Sequence, residues 1–347
     1  MKPHPFGLHR SLDPPGVLPQ AARRLDASPH AFENEIAVEV RALSIDSASF
    51  RQLRETEVES GETVAAQIAR IVAERGKMHN PNTGSGGMFS GTVREVGPRH
   101  PDAGVLSPGD SIASLVSLTL TPLLLSSVGA VHRETGRVEA SGTAILFERT
   151  LYSPLPEDLP EELALAAFDV AGAPASVLLR AKPGDTVLII GTGKAGLLCL
   201  AAAREAVGSG GKVIAVEPSG TAVERARSLG LADSVLSCDA RDAAAIFSAI
   251  QEETGGRLAD VVVNVANASG TEGGSILCAR DSGEVLFFGM ATSFSAAALG
   301  AEGLAKPATL LIGNGYVPGH AETALRLLRR HARLREAFRE LAGMTRP

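Results

Sequence analysis

The second half of the chain alternates short apolar runs with longer stretches of helical character. From about residue 184 onward, five runs rich in Val, Ile and Leu are separated by these helical stretches. Such alternation predicts parallel strands joined by crossover helices, and strands that are apolar throughout are expected where helices cover both faces of a sheet. We therefore expect an α/β domain with a doubly wound parallel sheet and strands at Thr186–Ile190, Lys212–Val216, Asp233–Leu236, Asp260–Val263 and Glu284–Phe288.

The first 150 residues have a different pattern, in which short apolar runs are bounded by turn-forming residues such as Ser107-Pro108-Gly109-Asp110. Short apolar runs between turns predict a mainly β domain. Apolar residues at helical spacing also predict a helix within it and one or two amphipathic helices at the end of the chain. The expected strands are Glu35–Val40, Gly91–Val96 and Ser111–Leu118, and the expected helices are Glu62–Arg75 and His320–Leu341.

The charge balance argues against a polyanionic partner. The 347-residue chain has a formal net charge of −6, whereas nucleic acids and anionic membranes attract clustered Lys and Arg. Its 44% apolar and 21% charged residues are typical of a folded chain, and its length suits two domains. We expect a small-molecule partner, with no nucleic acid and no membrane.

No segment has the pattern of a membrane span or a secretory signal. The most apolar stretch, Leu115–Val131, is interrupted by Pro122 and Gly129, and the first 20 residues contain five prolines and no apolar core. The three cysteines are an odd number without metal-type spacing, which suits a reducing compartment. We therefore expect a cytoplasmic protein.

A glycine-rich turn, Gly191-Thr192-Gly193-Lys194-Ala195-Gly196, joins the first predicted parallel strand to the helical stretch Leu197–Ala206. In such a turn the first glycine permits a tight bend, and the second lets a pyrophosphate approach the backbone. The third glycine lets the helix pack closely on the strand. Free N–H groups at the helix start then face the phosphates, so the turn predicts a dinucleotide site. A related fold would instead bind S-adenosylmethionine.

The second predicted parallel strand ends at Glu217, about 20 residues further on. A carboxylate there accepts hydrogen bonds from ribose hydroxyls and repels a 2′-phosphate, which favours NAD over NADP. Lys194 and Arg225 leave NADP open as the second choice. Further cofactor contacts are expected at the carboxyl edge of the sheet and in the segment that closes over it, namely Asn264, Val265, Gly289, Met290 and Asn314.

The order of several motifs resembles that of the medium-chain dehydrogenase/reductase superfamily over nearly the whole chain. This resemblance implies a GroES-like catalytic domain at residues 1–152 with 310–347, a Rossmann domain at 153–309, and a homodimer or higher homo-oligomer. The motifs are Gly91-Thr92-Val93-Arg94-Glu95-Val96-Gly97, Pro108-Gly109-Asp110, Leu155-Pro156-Glu157-Asp158-Leu159 and Lys182-Pro183-Gly184-Asp185.

Four other segments resemble more narrowly the L-erythro-3,5-diaminohexanoate dehydrogenase family of lysine fermentation. They are Ser44-Ile45-Asp46-Ser47-Ala48-Ser49-Phe50, Thr83-Gly84-Ser85-Gly86-Gly87-Met88, Leu118-Thr119-Leu120-Thr121-Pro122 and Asp169-Val170-Ala171-Gly172-Ala173-Pro174. This resemblance implies NAD(P)-linked oxidative deamination of 3,5-diaminohexanoate to 5-amino-3-oxohexanoate and ammonia.

The zinc ligands of the alcohol dehydrogenases in this superfamily are missing here. Those enzymes use an early Cys, a His in a Gly-His-Glu stretch and a later Cys or Glu. The comparable stretches read Ser44-Ile45-Asp46, Gly86-Gly87-Met88 and Asp169-Val170-Ala171, and the chain has too few cysteines for a four-cysteine structural site. The resemblance therefore implies an active site without zinc.

Without a Lewis acid, hydride must leave an electron-rich carbon, and a neutral amine provides one because its lone pair forms the iminium. A general base must then deprotonate the substrate ammonium. Asp46 and Asp169 are the acidic candidates, since each lies where a zinc ligand or its neighbour lies in the metal-using relatives. Ser47 and Thr119 are candidates for hydrogen bonds to substrate or water. Alternatively, Asp46 caps a helix that begins at Ser47, and Asp169 is a helix residue that pairs with a nearby base.

Two other functions remain open at this stage. A zinc-free, NADPH-dependent reductase of quinones or enoyl-CoA thioesters has the same two-domain plan, although Glu217 counts against it. A dinucleotide-binding protein without catalytic activity is the third reading. The sequence does not identify the cation that would bind a substrate carboxylate.

Overall fold

The computed structural model describes residues 3–82, 84–313 and 315–344. The chain forms two compact units, Met1–Leu165 and Ala166–Pro347. The first unit contains a sheet in the order β6-β7-β3-β4-β5-β8, with every neighbouring pair antiparallel. Its described elements are β1 (Ser11–Asp13), β2 (Arg24–Leu25), β3 (Glu35–Ser44), α1 (Ser47–Ser60), α2 (Val64–Arg75), β4 (Met88–Val96), β5 (Ser111–Ser114), β6 (Leu123–His132), β7 (Arg137–Phe147) and β8 (Tyr152–Pro154), with 3-10 turns at Leu8–Arg10 and Leu118–Leu120.

Helices α1 and α2 begin and end on residues suited to those positions. Asp46 and Thr63 accept hydrogen bonds from backbone N–H groups of the first turn, and Gly61 and Gly76 end the helices in the left-handed conformation. The apolar face of α2 joins the core of this unit. The predicted helix at Glu62–Arg75 is confirmed, with its start at Val64 because Thr63 is the cap.

A group of buried ionic side chains, which we call the Arg10 cluster (His9, Arg10 and Glu35), fixes the beginning of the chain to β3. The Arg10 guanidinium donates to both Glu35 carboxylate oxygens, at 2.8 and 2.6 Å, and His9 Nε2 lies 2.8 Å from the same carboxylate. Arg10 also donates to the carbonyl oxygens of Asp26, Ser28 and His30. Burial alone would raise the pKa of Glu35, but the hydrogen bonds from His9 and Arg10 outweigh it and hold this pKa below its ordinary value.

The second unit contains a parallel sheet in the order β11-β10-β9-β12-β13-β14, so the predicted doubly wound sheet is confirmed. The strand order reverses between β9 and β12. Helix α3 (Glu161–Phe168) spans the division between the units. The described elements that follow are α4 (Gly172–Arg180), β9 (Thr186–Ile190), α5 (Lys194–Val207), β10 (Lys212–Glu217), α6 (Gly220–Leu229), β11 (Ser234–Ser237), α7 (Ala243–Glu253), β12 (Ala259–Asn264), α8 (Glu272–Cys278), β13 (Ala279–Phe287), α9 (Phe294–Gly303), β14 (Thr309–Ile312), α10 (His320–Arg330) and α11 (Ala332–Leu341).

The end of the chain belongs to the second compact unit. The catalytic domain at residues 1–152 with 310–347 stays a prediction, because it is defined by function and not by compactness. Strand β14 pairs with β13, α10 packs against α4 and α5, and α11 packs against α5 and α6. Arg326 and Arg330 of α10 also donate to Glu205 of α5, at 2.6 and 3.2 Å. These pairings, absent from any local pattern, place β14, α10 and α11 in the second unit.

Among the described residues, no single helix combines the length and apolar character needed to cross a membrane. One bent pair, α3 with α4, passes that test by length and composition alone.

Candidate active site

The glycine-rich turn between β9 and α5 has the geometry that its three glycines predict. Gly191 has φ +92°, and a Cβ on it would lie 3.0 Å from the Ala266 backbone. A Cβ on Gly196 would lie 2.0 Å from the Gly191 carbonyl oxygen, so only glycine lets α5 start this close to the turn. Gly193 has φ −70° and faces open space. The second position is therefore the one that leaves room for a ligand.

Helix α5 starts at Lys194 with no side-chain cap, so no side chain of its N-cap residue satisfies the first backbone N–H groups. The turn lies between β9 and β12, where the strand order reverses. Gly289, after β13, approaches the same Ala266 residue that faces Gly191. Uncapped N–H donors at a helix start beside a topological switch point fit the pyrophosphate of a dinucleotide.

Glu217, at the end of β10, is bound to the turn itself. Its Oε2 accepts hydrogen bonds from the backbone N–H of Thr192 at 2.9 Å and from the Thr192 hydroxyl at 3.1 Å. Its Oε1 accepts from the Ser219 N–H at 3.0 Å. The carboxylate is half-buried, and Thr192 is fully buried. Glu217 thus carries a negative charge at the end of β10 and also holds the turn in shape.

The other predicted cofactor residues have different surroundings. Asn264 is buried and braces α8, because its amide donates to Thr271 at 2.8 Å and Ser275 at 2.9 Å. Val265 donates its N–H to Ile190, which ties the two central strand ends together. The Met290 side chain is 89% exposed. Asn314 lies outside the described residues.

Asp169 and Lys194 form an ion pair. Lys194 Nζ, at the start of α5, lies 3.8 Å from Asp169 Oδ2, which is in the short link between α3 and α4. Asp169 thus pairs with a base, as one of the two readings from the sequence expected, but it lies in a turn and not in a helix. Both side chains remain partly exposed, so the pair also places two opposite charges beside the glycine-rich turn.

In the first unit, Asp46 caps α1, as the second reading of this residue predicted. Its Oδ1 accepts from the Ser49 N–H at 2.9 Å, whereas its Oδ2 is buried and bonded to no described residue. A Cβ on Gly87 would lie 2.9 Å from the Asp46 backbone nitrogen, so the Gly86-Gly87 stretch packs directly against this cap. Ser47 is exposed on the first turn of α1.

Thr119 lies close to the same glycine stretch but belongs to a 3-10 turn and not to the end of a strand. The predicted strand Ser111–Leu118 stops at Ser114, and the turn Leu118–Leu120 begins where Ser117 caps it. Leu118 donates its N–H to the Gly87 carbonyl at 2.8 Å. Gly87 therefore contacts both the Asp46 cap and the turn that contains Thr119.

The structure adds His79 to this group, a residue that the sequence did not single out. Its Nδ1 is within hydrogen-bond distance of Thr119 Oγ1. Burial, followed by the charges of Lys77 and Arg75, lowers the pKa of His79 below its ordinary value. Lys77 itself is buried and donates to the Pro19 carbonyl at 2.7 Å, and burial together with Arg75 lowers its pKa to about 8.

Within the described part of the chain, no group of three or more His, Cys, Asp and Glu side chains is arranged to hold a metal ion. Asp46 instead caps a helix, and Asp169 pairs with Lys194.

Two family models match different parts of the chain. The model of the L-erythro-3,5-diaminohexanoate dehydrogenase N-terminal domain matches residues 9–156, and the zinc-binding dehydrogenase model matches residues 195–329. The chain is also similar in structure to a mycobacterial protein complexed with NADPH, with a TM-score of 0.54, 22% identity and coverage of 93% of this chain and 86% of the other.

An antiparallel-sheet unit followed by a doubly wound unit with a glycine-rich turn defines a nicotinamide-dependent dehydrogenase of the medium-chain superfamily. Over nearly its full length the chain is similar to two proteins named L-erythro-3,5-diaminohexanoate dehydrogenase. The identity is 43% with that of Acetoanaerobium sticklandii, covering 98% of this chain and 99% of the relative. It is 46% with that of Fusobacterium nucleatum subsp. nucleatum, covering 97% and 98%. The chain belongs to the L-erythro-3,5-diaminohexanoate dehydrogenase family.

Proposed function

We propose that this protein catalyses the NAD-dependent oxidative deamination of L-erythro-3,5-diaminohexanoate to 5-amino-3-oxohexanoate and ammonia, a step of lysine fermentation. The observation that carries the proposal is the 43–46% identity, over at least 97% of the chain, to two dehydrogenases named for that substrate. The glycine-rich turn supports it, because all three glycine positions keep the geometry that a dinucleotide needs.

NAD would be the hydride acceptor in this reaction. The backbone from Gly191 to Gly196 would bind its pyrophosphate, and Glu217 would accept hydrogen bonds from the adenosine ribose. Lys194, held by Asp169, would lie near the phosphates as a counter-charge. Val265, Gly289, Met290 and Asn314 remain predictions for the rest of the cofactor. Asn264 would act indirectly, through its bonds to α8.

The substrate carries two ammonium groups and one carboxylate, and the reaction needs no metal if a base deprotonates the reacting ammonium. Asp46 and Asp169 are the carboxylates proposed to attract the ammonium groups. Ser47, exposed at the start of α1, is proposed as a hydrogen-bonding group for substrate or water. We propose that the enzyme works without zinc.

The decisive experiment mixes purified protein with L-erythro-3,5-diaminohexanoate and either NAD or NADP. We expect NADH absorbance to rise and ammonia to be released in equal amount, faster with NAD. A protein that forms neither reduced cofactor nor ammonia with NAD or NADP would refute the proposal. Oxidation of NADPH by a quinone or an enoyl-CoA thioester would support the reductase alternative, whereas tight NADH binding without turnover of any of these would support a non-catalytic protein.

Glu217 is expected to set the preference for NAD. Glu217→Gln removes the charge but keeps an acceptor for Thr192, so we expect the KM for NADP to fall about tenfold or more, since like-charge contacts cost several kcal/mol. The KM for NAD should change much less. Steady-state kinetics with both cofactors measures the ratio, with Glu224→Gln, an exposed carboxylate on α6, as the matched control. An unchanged NAD/NADP ratio in Glu217→Gln would show that another residue selects the cofactor.

We also propose that the enzyme is a cytoplasmic homo-oligomer. Its three cysteines are free thiols, which suits a reducing compartment. Strand β14 ends the parallel sheet as a short edge with apolar side chains, among which Ile312 is 71% exposed. Unpaired edges of this kind can pair with a second copy of the chain. Light scattering of the purified protein gives the state, and a monomer at micromolar concentration would contradict the proposal.

A further inference from the structure

His79 has two ring nitrogens in different surroundings. Nδ1 faces the hydroxyl of Thr119, which is 3% exposed and therefore a fixed partner. Nε2 has no hydrogen bond to any of the residues that the structure describes, and the side chain as a whole is half-buried. A ring held at one nitrogen and without a hydrogen bond at the other is the arrangement that suits proton transfer, because the bound nitrogen fixes the orientation of the ring.

Two charged groups near His79 are less accessible to a substrate. One oxygen of Asp46 is occupied by the cap of α1, and the other is buried. The Lys77 ammonium is occupied by the carbonyl oxygens of Pro19 and Gln20, at 2.7 and 3.3 Å. These contacts use lone pairs or protons for structure, whereas Nε2 of His79 has no such use.

The loop that carries His79 is held firmly in place. The Asn80 amide donates to Gln52 of α1 at 2.7 Å. A Cβ on Gly86 would lie 2.2 Å from the Met78 carbonyl oxygen, so the glycine stretch packs against the residue before His79. His79, Thr119 and the Asp46 cap all lie within residues 9–156, the part of the chain that matches the family's own N-terminal domain. We therefore place the family-specific proton chemistry in this group.

Given the proposed oxidation of an amine, on which this inference rests, we propose that Nε2 of His79 is the general base that deprotonates the substrate ammonium. Thr119 is the positioning residue: its Oγ1 accepts a hydrogen bond from Nδ1–H, which keeps the lone pair on Nε2.

The proton and electron balance follows from this assignment. Nε2 takes one proton from the C3 ammonium, which leaves a neutral amine and an imidazolium. The C3–H bond then breaks and its electron pair leaves with hydride to the cofactor, while the nitrogen lone pair forms the C=N bond of the iminium. Water adds to that carbon and one of its two protons moves to nitrogen. The C–N bond then breaks as the remaining hydroxyl proton is lost to the departing ammonia, which gives the ketone and ammonium. The imidazolium proton is released to solvent.

The test compares His79→Gln with wild type at saturating NAD. General-base removal typically costs about 100-fold or more, so we expect kcat to fall by that factor. The dissociation constant for NADH should stay within about twofold, since base removal acts on proton transfer and not on dinucleotide binding. His132→Gln, which removes a half-exposed histidine from β6, is the control and should retain wild-type activity.

A pair of variants at Thr119 separates positioning from folding. Thr119→Ser keeps the hydroxyl and should retain most of kcat, whereas Thr119→Val keeps the shape and should lower kcat about tenfold with little change in KM.

The pH profile of the wild-type enzyme tests the base itself. Wild-type kcat/KM should fall at acidic pH as His79 is protonated, and Arg75→Gln should move this limb to higher pH, because loss of a nearby positive charge raises the pKa of the ring.

The outcomes separate the two proposals. Active wild type with an equally active His79→Gln would overturn the assignment of the base and leave the proposed function standing. Equal loss in Thr119→Ser and Thr119→Val would overturn the role of the Thr119 hydroxyl. A wild-type protein that does not oxidise the diamino acid would overturn both the function and the base.

Discussion

Gly193→Ala should lose most of its affinity for NADH while keeping the stability of the wild-type protein. The residue has φ −70°, which alanine adopts without strain, and a Cβ there meets no protein atom within 4 Å. The added methyl group instead occupies the space from which the N–H groups of α5 would meet the pyrophosphate. Loss of one hydrogen bond to a charged group costs about 1.5–3 kcal/mol, so we expect the Kd to rise about tenfold to a hundredfold.

Gly196→Ala is the matched comparison, because its methyl group would collide with protein and not with ligand. The Cβ would lie 2.0 Å from the Gly191 carbonyl oxygen, which forces α5 away from β9. Overpacking of this kind costs about 1–3 kcal/mol of stability, and the displaced turn should also bind NADH poorly. Fluorescence titration and thermal melting measure both quantities. A Gly193→Ala protein that binds NADH like wild type would place the pyrophosphate elsewhere.

Arg10→Met should destabilise the first unit more than any surface substitution. The Glu35 carboxylate would lose both guanidinium bonds while it remains fully buried. Removal of one partner from a buried ion pair costs about 3–5 kcal/mol, because the other charge is left uncompensated. The double variant Arg10→Met with Glu35→Leu should recover part of this loss, since no unpaired charge remains. Denaturant unfolding followed by circular dichroism measures the free energies.

The lowered pKa of Glu35 predicts how the stability that the Arg10 cluster contributes changes at acidic pH. Since the folded-state pKa of Glu35 is held below its ordinary value of 4.5, the stability that it contributes is complete above that value and is lost as the pH falls through the lower, folded-state pKa. The double variant lacks this contribution and should lose less stability over that range. Equal acid sensitivity in the two proteins would assign the effect to other carboxylates.

Local pattern was enough to predict the parallel sheet and the glycine-rich turn. Strand β9 runs from Thr186 to Ile190 as expected, because a fully buried strand is apolar at every position. Strand β13 begins five residues before the predicted Glu284, at Ala279. Residues Arg280, Asp281 and Ser282 are polar and exposed, and Ser282 has φ +61°, so no apolar run marks the start of the strand.

Contacts between distant parts of the chain were beyond what local pattern could predict. His79 and Thr119 are separated by 40 positions and meet because both pack around the Gly86-Gly87 stretch, which no periodicity encodes. Strand β6 was likewise missed: among the described strands it pairs with β7 alone, and most of its side chains are at least partly exposed. The Asp46 cap could be predicted from the sequence, because capping depends on residues only three positions apart.

The bonds from Glu217 to Thr192 and Ser219 also bear on the thermodynamics of cofactor capture. Glycine-rich segments have the most conformational freedom to lose, and fixing one residue costs about 1–2 kcal/mol in entropy. Here three hydrogen bonds from within the protein to the Glu217 carboxylate hold the turn in shape. The entropic cost of ordering the turn is therefore met when the protein folds, so a dinucleotide binds to a turn that is already ordered.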